Sequence, residues 1–147
     1  MLLLHPSSLK ADDMIKAILA PTAAISVLGL TAAAAQQSPP ADSTVIDVTL
    51  ADFSFTPSSL QFQHGQHYQL QLHNKGSGGH NFAGKDFFAA VTVDAADQNL
   101  IRKGAVEVKK GATAAIGFTA VKPGTYRIKC THFLHSGFGM KGSAVIN

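Results

Sequence analysis

One short stretch near the end of the chain runs Cys130-Thr131-His132-Phe133-Leu134-His135-Ser136-Gly137-Phe138-Gly139-Met140. It holds the only cysteine, two of the seven histidines and one of the three methionines. Thiolate, imidazole and thioether are soft and borderline donors, a set that copper accepts well. They are spaced C-x4-H-x4-M, and Gly137 and Gly139 let a short loop double back so that the side chains can aim at one point. A trigonal copper site of one cysteine and two histidines needs a second histidine from elsewhere. Gly79-His80-Asn81-Phe82 offers one, about fifty residues upstream. His132 competes with His135 for the other place. Only one residue separates His132 from Cys130, which leaves the chain no room to fold back, whereas C-x4-H does. His135 is therefore the expected ligand and His132 a near-surface neighbour. Zinc also takes one cysteine and two histidines, with water as the fourth ligand, but thioether is a poor zinc ligand and Met140 favours copper.

The elements around these residues read as short strands divided by turns, the pattern of a sandwich or barrel. Ile46, Val48 and Leu50 alternate with polar residues, as do Leu60 and Phe62 before the turn at His64-Gly65. Tyr68, Leu70 and Leu72 share one strand face, and His67, Gln69, Gln71 and His73 take the other. The two histidines of that outer face, with His64, read as solvated residues, six positions being too far for His67 and His73 to chelate alone. Ala114, Ile116 and Phe118 mark a further strand. In 124–130 the period of two puts Tyr126, Ile128 and Cys130 on a common face, with Arg127 and Lys129 opposite. The thiol therefore points into the interior. A last strand is expected over 143–147. Between Gly84 and Gly104 the pattern is weaker. Asp86-Phe-Phe-Ala-Ala-Val suits a helical turn or a strand start, and 94–104 reads as a short helix with Asp94 as N-cap and Gly104 past its end.

Upstream, residues 1–13 fit nothing that follows and are read as an extension. Lys16, the apolar stretch 17–30 and Ala33-Ala34-Ala35 make a secretory signal over 14–35 with an A-x-A cleavage site. As a membrane anchor the stretch is too short, and Pro21 interrupts it. A polar, proline-bearing lead-in (36–43) precedes the domain, 44–147. With 14% charged residues and a formal net charge of +3, the composition argues against nucleic acid as partner. One cysteine makes no internal disulfide, and in an oxidising compartment a lone thiol needs burial or a metal. No paired carboxylates, phosphate-binding loop or dinucleotide fingerprint is present.

A histidine followed by asparagine, and then a distant Cys…His…Met loop, resembles the pattern of the cupredoxins, the small blue-copper electron-transfer proteins of the plastocyanin and azurin kind. The resemblance covers residues 44–147. It implies an all-β, Greek-key sandwich or barrel, with a short helix or flap in 84–104. It implies one type 1 copper ion held by His80, Cys130 and His135, with Met140 as the weak axial ligand. Asn81 then ties the two ligand loops and bonds near the sulfur, and the carbonyl of Gly79 lies opposite the methionine as in azurin. The implied role is a periplasmic, monomeric one-electron carrier and not an enzyme, with no membrane span once the signal is cleaved. It would meet a cytochrome, oxidase or reductase transiently at an apolar patch of Phe133, Leu134 and Phe138 around His135. The same ligands suit copper delivery or tolerance, but the chain has no methionine- or histidine-rich tail for that work. Multicopper oxidases flank the cysteine with histidines. Here Lys129 and Thr131 stand in those places.

Overall fold

The fold is that of a computed structural model, which describes residues 42–133, 135 and 137–147. The expected extension (1–13), signal peptide (14–35) and most of the lead-in (36–43) lie outside the described residues, as do Leu134 and Ser136.

The described residues make an all-β fold with two sheets. The first has the order β2-β1-β4-β9-β6, from β1 (Thr44–Ala51), β2 (Ser54–Thr56), β4 (His67–Asn74), β6 (Val91–Val93) and β9 (Thr113–Ala120). The second has the order β3-β11-β10-β5-β8-β7, from β3 (Ser59–Phe62), β5 (His80–Ala83), β7 (Ile101–Arg102), β8 (Ala105–Val108), β10 (Gly124–Lys129) and β11 (Lys141–Ile146). β1 runs parallel to β4 and β3 parallel to β11, while the other pairs are antiparallel. In β4 the alternation is complete: Tyr68, Leu70, Leu72 and Asn74 are buried, and the histidines and glutamines between them are half-buried on the outer face. Val48, Leu50, Ile116 and Phe118 of the first sheet meet Leu60, Phe62, Phe82, Val106, Ile128 and Ile146 of the second in one core.

Phe62 sits at the centre of that core, with ring centroids 4.9 Å from Tyr68, 5.3 Å from Phe118 and 5.6 Å from Phe87. Phe87 comes from α1 (Lys85–Phe88), a single turn that closes the sandwich with one fully buried side chain. Its burial contributes about 1.5–3 kcal/mol.

Within 84–104 the expected helical turn at Asp86-Phe87-Phe88 is present as α1, but the helix expected over 94–104 is not formed. The chain makes α1, then β6, a turn at 94–97, a 3₁₀ turn Gln98–Leu100, and β7. Asp94 does not cap a helix, because its carboxylate is taken by His67 Nε2 at 3.0 Å. Asp97 Oδ2 likewise accepts the Gly117 N–H at 2.8 Å, so both acids pin the segment to the first sheet. Gly104 falls in the tight β7–β8 turn with φ +76°, a conformation suited to glycine. The last strand begins at Lys141, two residues earlier than its pattern suggests, and ends at Ile146.

Candidate metal centre

His80 opens β5, a strand buried at all four positions because it lies between β10 and β8. Cys130 follows directly on β10, completely buried, with its thiol on the same inner face as Ile128. The loop after it is closed by backbone bonds. Cys130 N–H donates to Met140 C=O (3.1 Å), Met140 N–H to His135 C=O (2.9 Å), and His135 N–H to His132 C=O (3.1 Å). Cys130, His135 and Met140 are thus stitched into one turn, and the Met140 side chain is fully buried.

Three donor atoms converge there. His80 Nδ1 lies 3.1 Å from His135 Nδ1, and Cys130 Sγ lies 3.9 Å from the first and 3.5 Å from the second. A point equidistant from all three is about 2 Å from each, the length of a metal–imidazole bond. Two imidazole nitrogens and one sulfur facing a common point are the donor set that copper takes. Their types and spacing therefore fit a copper ion. No other cluster of three such donors occurs among the described residues. Burial, with His80 and His132 beside it, holds the His135 imidazole below its usual pKa.

The surroundings fix the donors. His80 Nε2 donates to Asp52 Oδ1 at 3.2 Å, which orients the ring with Nδ1 toward the site. Asp52 also accepts the Ser77 N–H at 3.0 Å, and this bond, with the Ser77 and His80 side chains, holds its carboxyl below the usual range. Gly76 leaves the space for this pair, since a Cβ there would stand 2.2 Å from His80 Nε2 and 2.7 Å from Asp52 Oδ1. Buried Asn74 shapes the loop before His80. Its amide donates to the carbonyls of Gly78 and Val108, both at 2.9 Å, and its oxygen accepts the Gly76 N–H at 2.9 Å.

Asn81 clamps the two ligand segments together. Its Oδ1 accepts the Thr131 N–H and its Nδ2 donates to Thr131 Oγ1, both at 2.8 Å. This is the tie that the resemblance implies. His132 stacks on His135 at 5.6 Å and 23°, and its Nε2 pairs with Glu107 at 2.7 Å, pointing away from the three donors. His67 and His73 are not simply solvated: His67 bonds Ser43 and Asp94, and His73 bonds Asp47 and Thr113.

The apolar rim around His135 includes a residue that the loop alone does not reveal. Phe53, in the β1–β2 turn, packs edge-on against His135 (5.4 Å) and Phe138 (5.6 Å). It adopts φ 65°, a left-handed backbone that costs a non-glycine residue about 1–2 kcal/mol. Phe53, Phe133 and Phe138 are all exposed. Asp52 and Phe53 therefore grip the two histidines from one turn. Nothing in the alternation of β1 or in residue spacing points to them.

The described residues form a two-sheet all-β sandwich carrying a Cys-His-His donor triangle. The sequence matches the family described as Cupredoxin-like domain over residues 23–146, and the chain belongs to that family. Solved structures similar to it include auracyanin from the photosynthetic bacterium Roseiflexus castenholzii, in its dithionite-reduced form. That likeness is 24% identical, covers 71% of this chain and 98% of that one, and has a TM-score of 0.53. Auracyanin B is 26% identical over 76% of this chain and 92% of its own, also with a TM-score of 0.53. Auracyanin A of Chloroflexus aurantiacus, described as a "blue" copper protein, is 20% identical over 71% and 98%, with a TM-score of 0.52. No curated protein matches the sequence.

Proposed function

We propose that this protein is a blue-copper one-electron carrier, in which His80, Cys130, His135 and Met140 would hold the ion. The observation that carries the reading is the triangle of one sulfur and two imidazole nitrogens, sized for a single ion. Auracyanin A, described as a "blue" copper protein, shares the fold and supports it. Copper, when bound, supplies the Cu(II)/Cu(I) couple, whose two states prefer different geometries.

The chain's contribution is rigidity. Asp52 and Gly76 fix the His80 ring, Asn81 ties β5 to the cysteine loop, and the aromatic core behind Cys130 excludes water. Donors held this firmly move little between oxidation states, which keeps electron transfer fast. Half-buried His135 offers an edge beside Phe53, Phe133 and Phe138, a small apolar surface suited to brief redox contacts. Export to the periplasm follows from the signal pattern over 14–35. No helix among the described residues is long and apolar enough to cross a membrane. Voltammetry of the copper-loaded protein tests the role. One reversible one-electron wave is expected. No wave, with copper passing readily to a weak chelator, contradicts the carrier reading and favours copper delivery.

A further inference from the structure

The outer face of the second sheet carries an open groove of about 720 Å³ that the metal centre does not use. Lys85, Lys103, Arg127, Lys129 and Lys141 line it, against a single acid, Asp86. Half of the ten lysines and arginines from residue 42 onward are gathered here, with one of the seven acids. Among the described residues every ion pair involves a histidine, so none of these five cations is neutralised by a carboxylate. Three other acids are engaged on the first sheet, Asp47 with His73, Asp94 with His67 and Asp97 with the Gly117 N–H.

The groove is built, not incidental. Lys129 and Lys141 are direct cross-strand partners of β10 and β11, a like-charge pairing that weakens a sheet. The Gly84 N–H donates to Gly104 C=O at 3.0 Å, locking the start of α1 to the β7–β8 turn and so bringing Lys85 beside Lys103. A Cβ on Gly104 would stand 2.7 Å from Lys85 Cα, so the close approach needs glycine. The groove also adjoins the donors along the chain. Lys129 and Thr131 flank Cys130, and Lys141 follows Met140.

We infer that this groove docks the acidic face of a one-electron redox protein, and that the electron passes between that partner's centre and the Cys130 side of the site. The inference rests on the carrier reading. No bond is made or broken, and one centre is oxidised as the other is reduced. Five unpaired cations offer charge complementarity, and the covalent path from the groove wall to the thiolate is a single residue long on either side.

The probe is cytochrome c in two forms, the native basic protein and its succinylated, acidic derivative. Stopped-flow rates with the copper-loaded protein, corrected for driving force, are compared across salt. The acidic form should react about tenfold faster or more at low ionic strength. That advantage should vanish near about 0.5 M salt as screening shortens. Lys103→Glu/Arg127→Glu should abolish the preference. Lys109→Glu/Lys110→Glu, the same charge change outside the groove, should keep most of it. NMR shift mapping of the metal-free protein with the succinylated form should mark Lys85, Lys103, Arg127, Lys129 and Lys141.

Equal rates for the two cytochromes, equal effects of the two double variants, or identical groove shifts with inorganic phosphate alone would each overturn the inference. Groove shifts without electron transfer to either form would instead contradict the carrier reading, so the two failures are distinguishable.

Discussion

Asn81→Ala removes the clamp between the two ligand-bearing segments, and its cost follows from the bonds it breaks. Asn81 is 7% exposed and makes two hydrogen bonds to Thr131, each 2.8 Å. Thr131 is exposed, so water can replace the lost partners and the full penalty of an unpaired buried group does not apply. At about 1 kcal/mol net per bond, the loss is about 2 kcal/mol. For a domain of this size that lowers Tm by about 8–16 °C. Calorimetry of the metal-free protein reads this directly. Thr131→Val removes only the hydroxyl bond and should cost about half as much, and it should cost nothing further in the Asn81→Ala background. The copper-loaded Asn81→Ala protein should also release its ion to a chelator faster, because Cys130 and His80 are no longer held together. A Tm within about 3 °C of wild type, or full additivity of the two substitutions, would refute the clamp.

The remaining expectations concern the ligands and their supports. His135→Ala should abolish tight copper binding while His132→Ala leaves it largely intact, as isothermal titration would show, since His132 points to Glu107. Met140→Gln should lower the reduction potential and Met140→Leu raise it, both still coloured. Equal potentials for all three proteins would make Met140 core packing only. Asp52→Asn removes a negative charge that bonds His80 Nε2, and voltammetry should find the potential raised. Phe87→Ala should cost about 3–5 kcal/mol in chemical denaturation without altering the visible spectrum, because Phe87 packs the core and not the donors.

Much of this was legible in the sequence because two simple periodicities carry it. The alternation in β1 and β4 marks the core faces, that in β10 aims Cys130 inward, and the C-x4-H spacing favours His135 over His132. β5 was not legible as a strand, because His80-Asn81-Phe82-Ala83 is buried on both faces and has no alternation. The helix expected over 94–104 failed because Asp94 and Asp97 bond across to β4 and β9, partners that a local capping rule cannot see. Asp52, Phe53 and Gly76 escaped for the same reason, since their roles exist only once the β1–β2 turn folds over His80 and His135. The basic groove was equally hidden. Its cations are scattered along the chain, and the net charge of +3 conceals how the sheets sort them.

If Cys130 binds copper as a thiolate beside His80 and His135, the spectrum of the Cu(II)-loaded protein reports that bond. An intense visible thiolate-to-copper charge-transfer band with a compressed copper hyperfine splitting is predicted, and Cys130→Ser should abolish the band while the domain still folds. A pale, weakly absorbing complex with ordinary hyperfine splitting, or an intense band that survives Cys130→Ser, would contradict it.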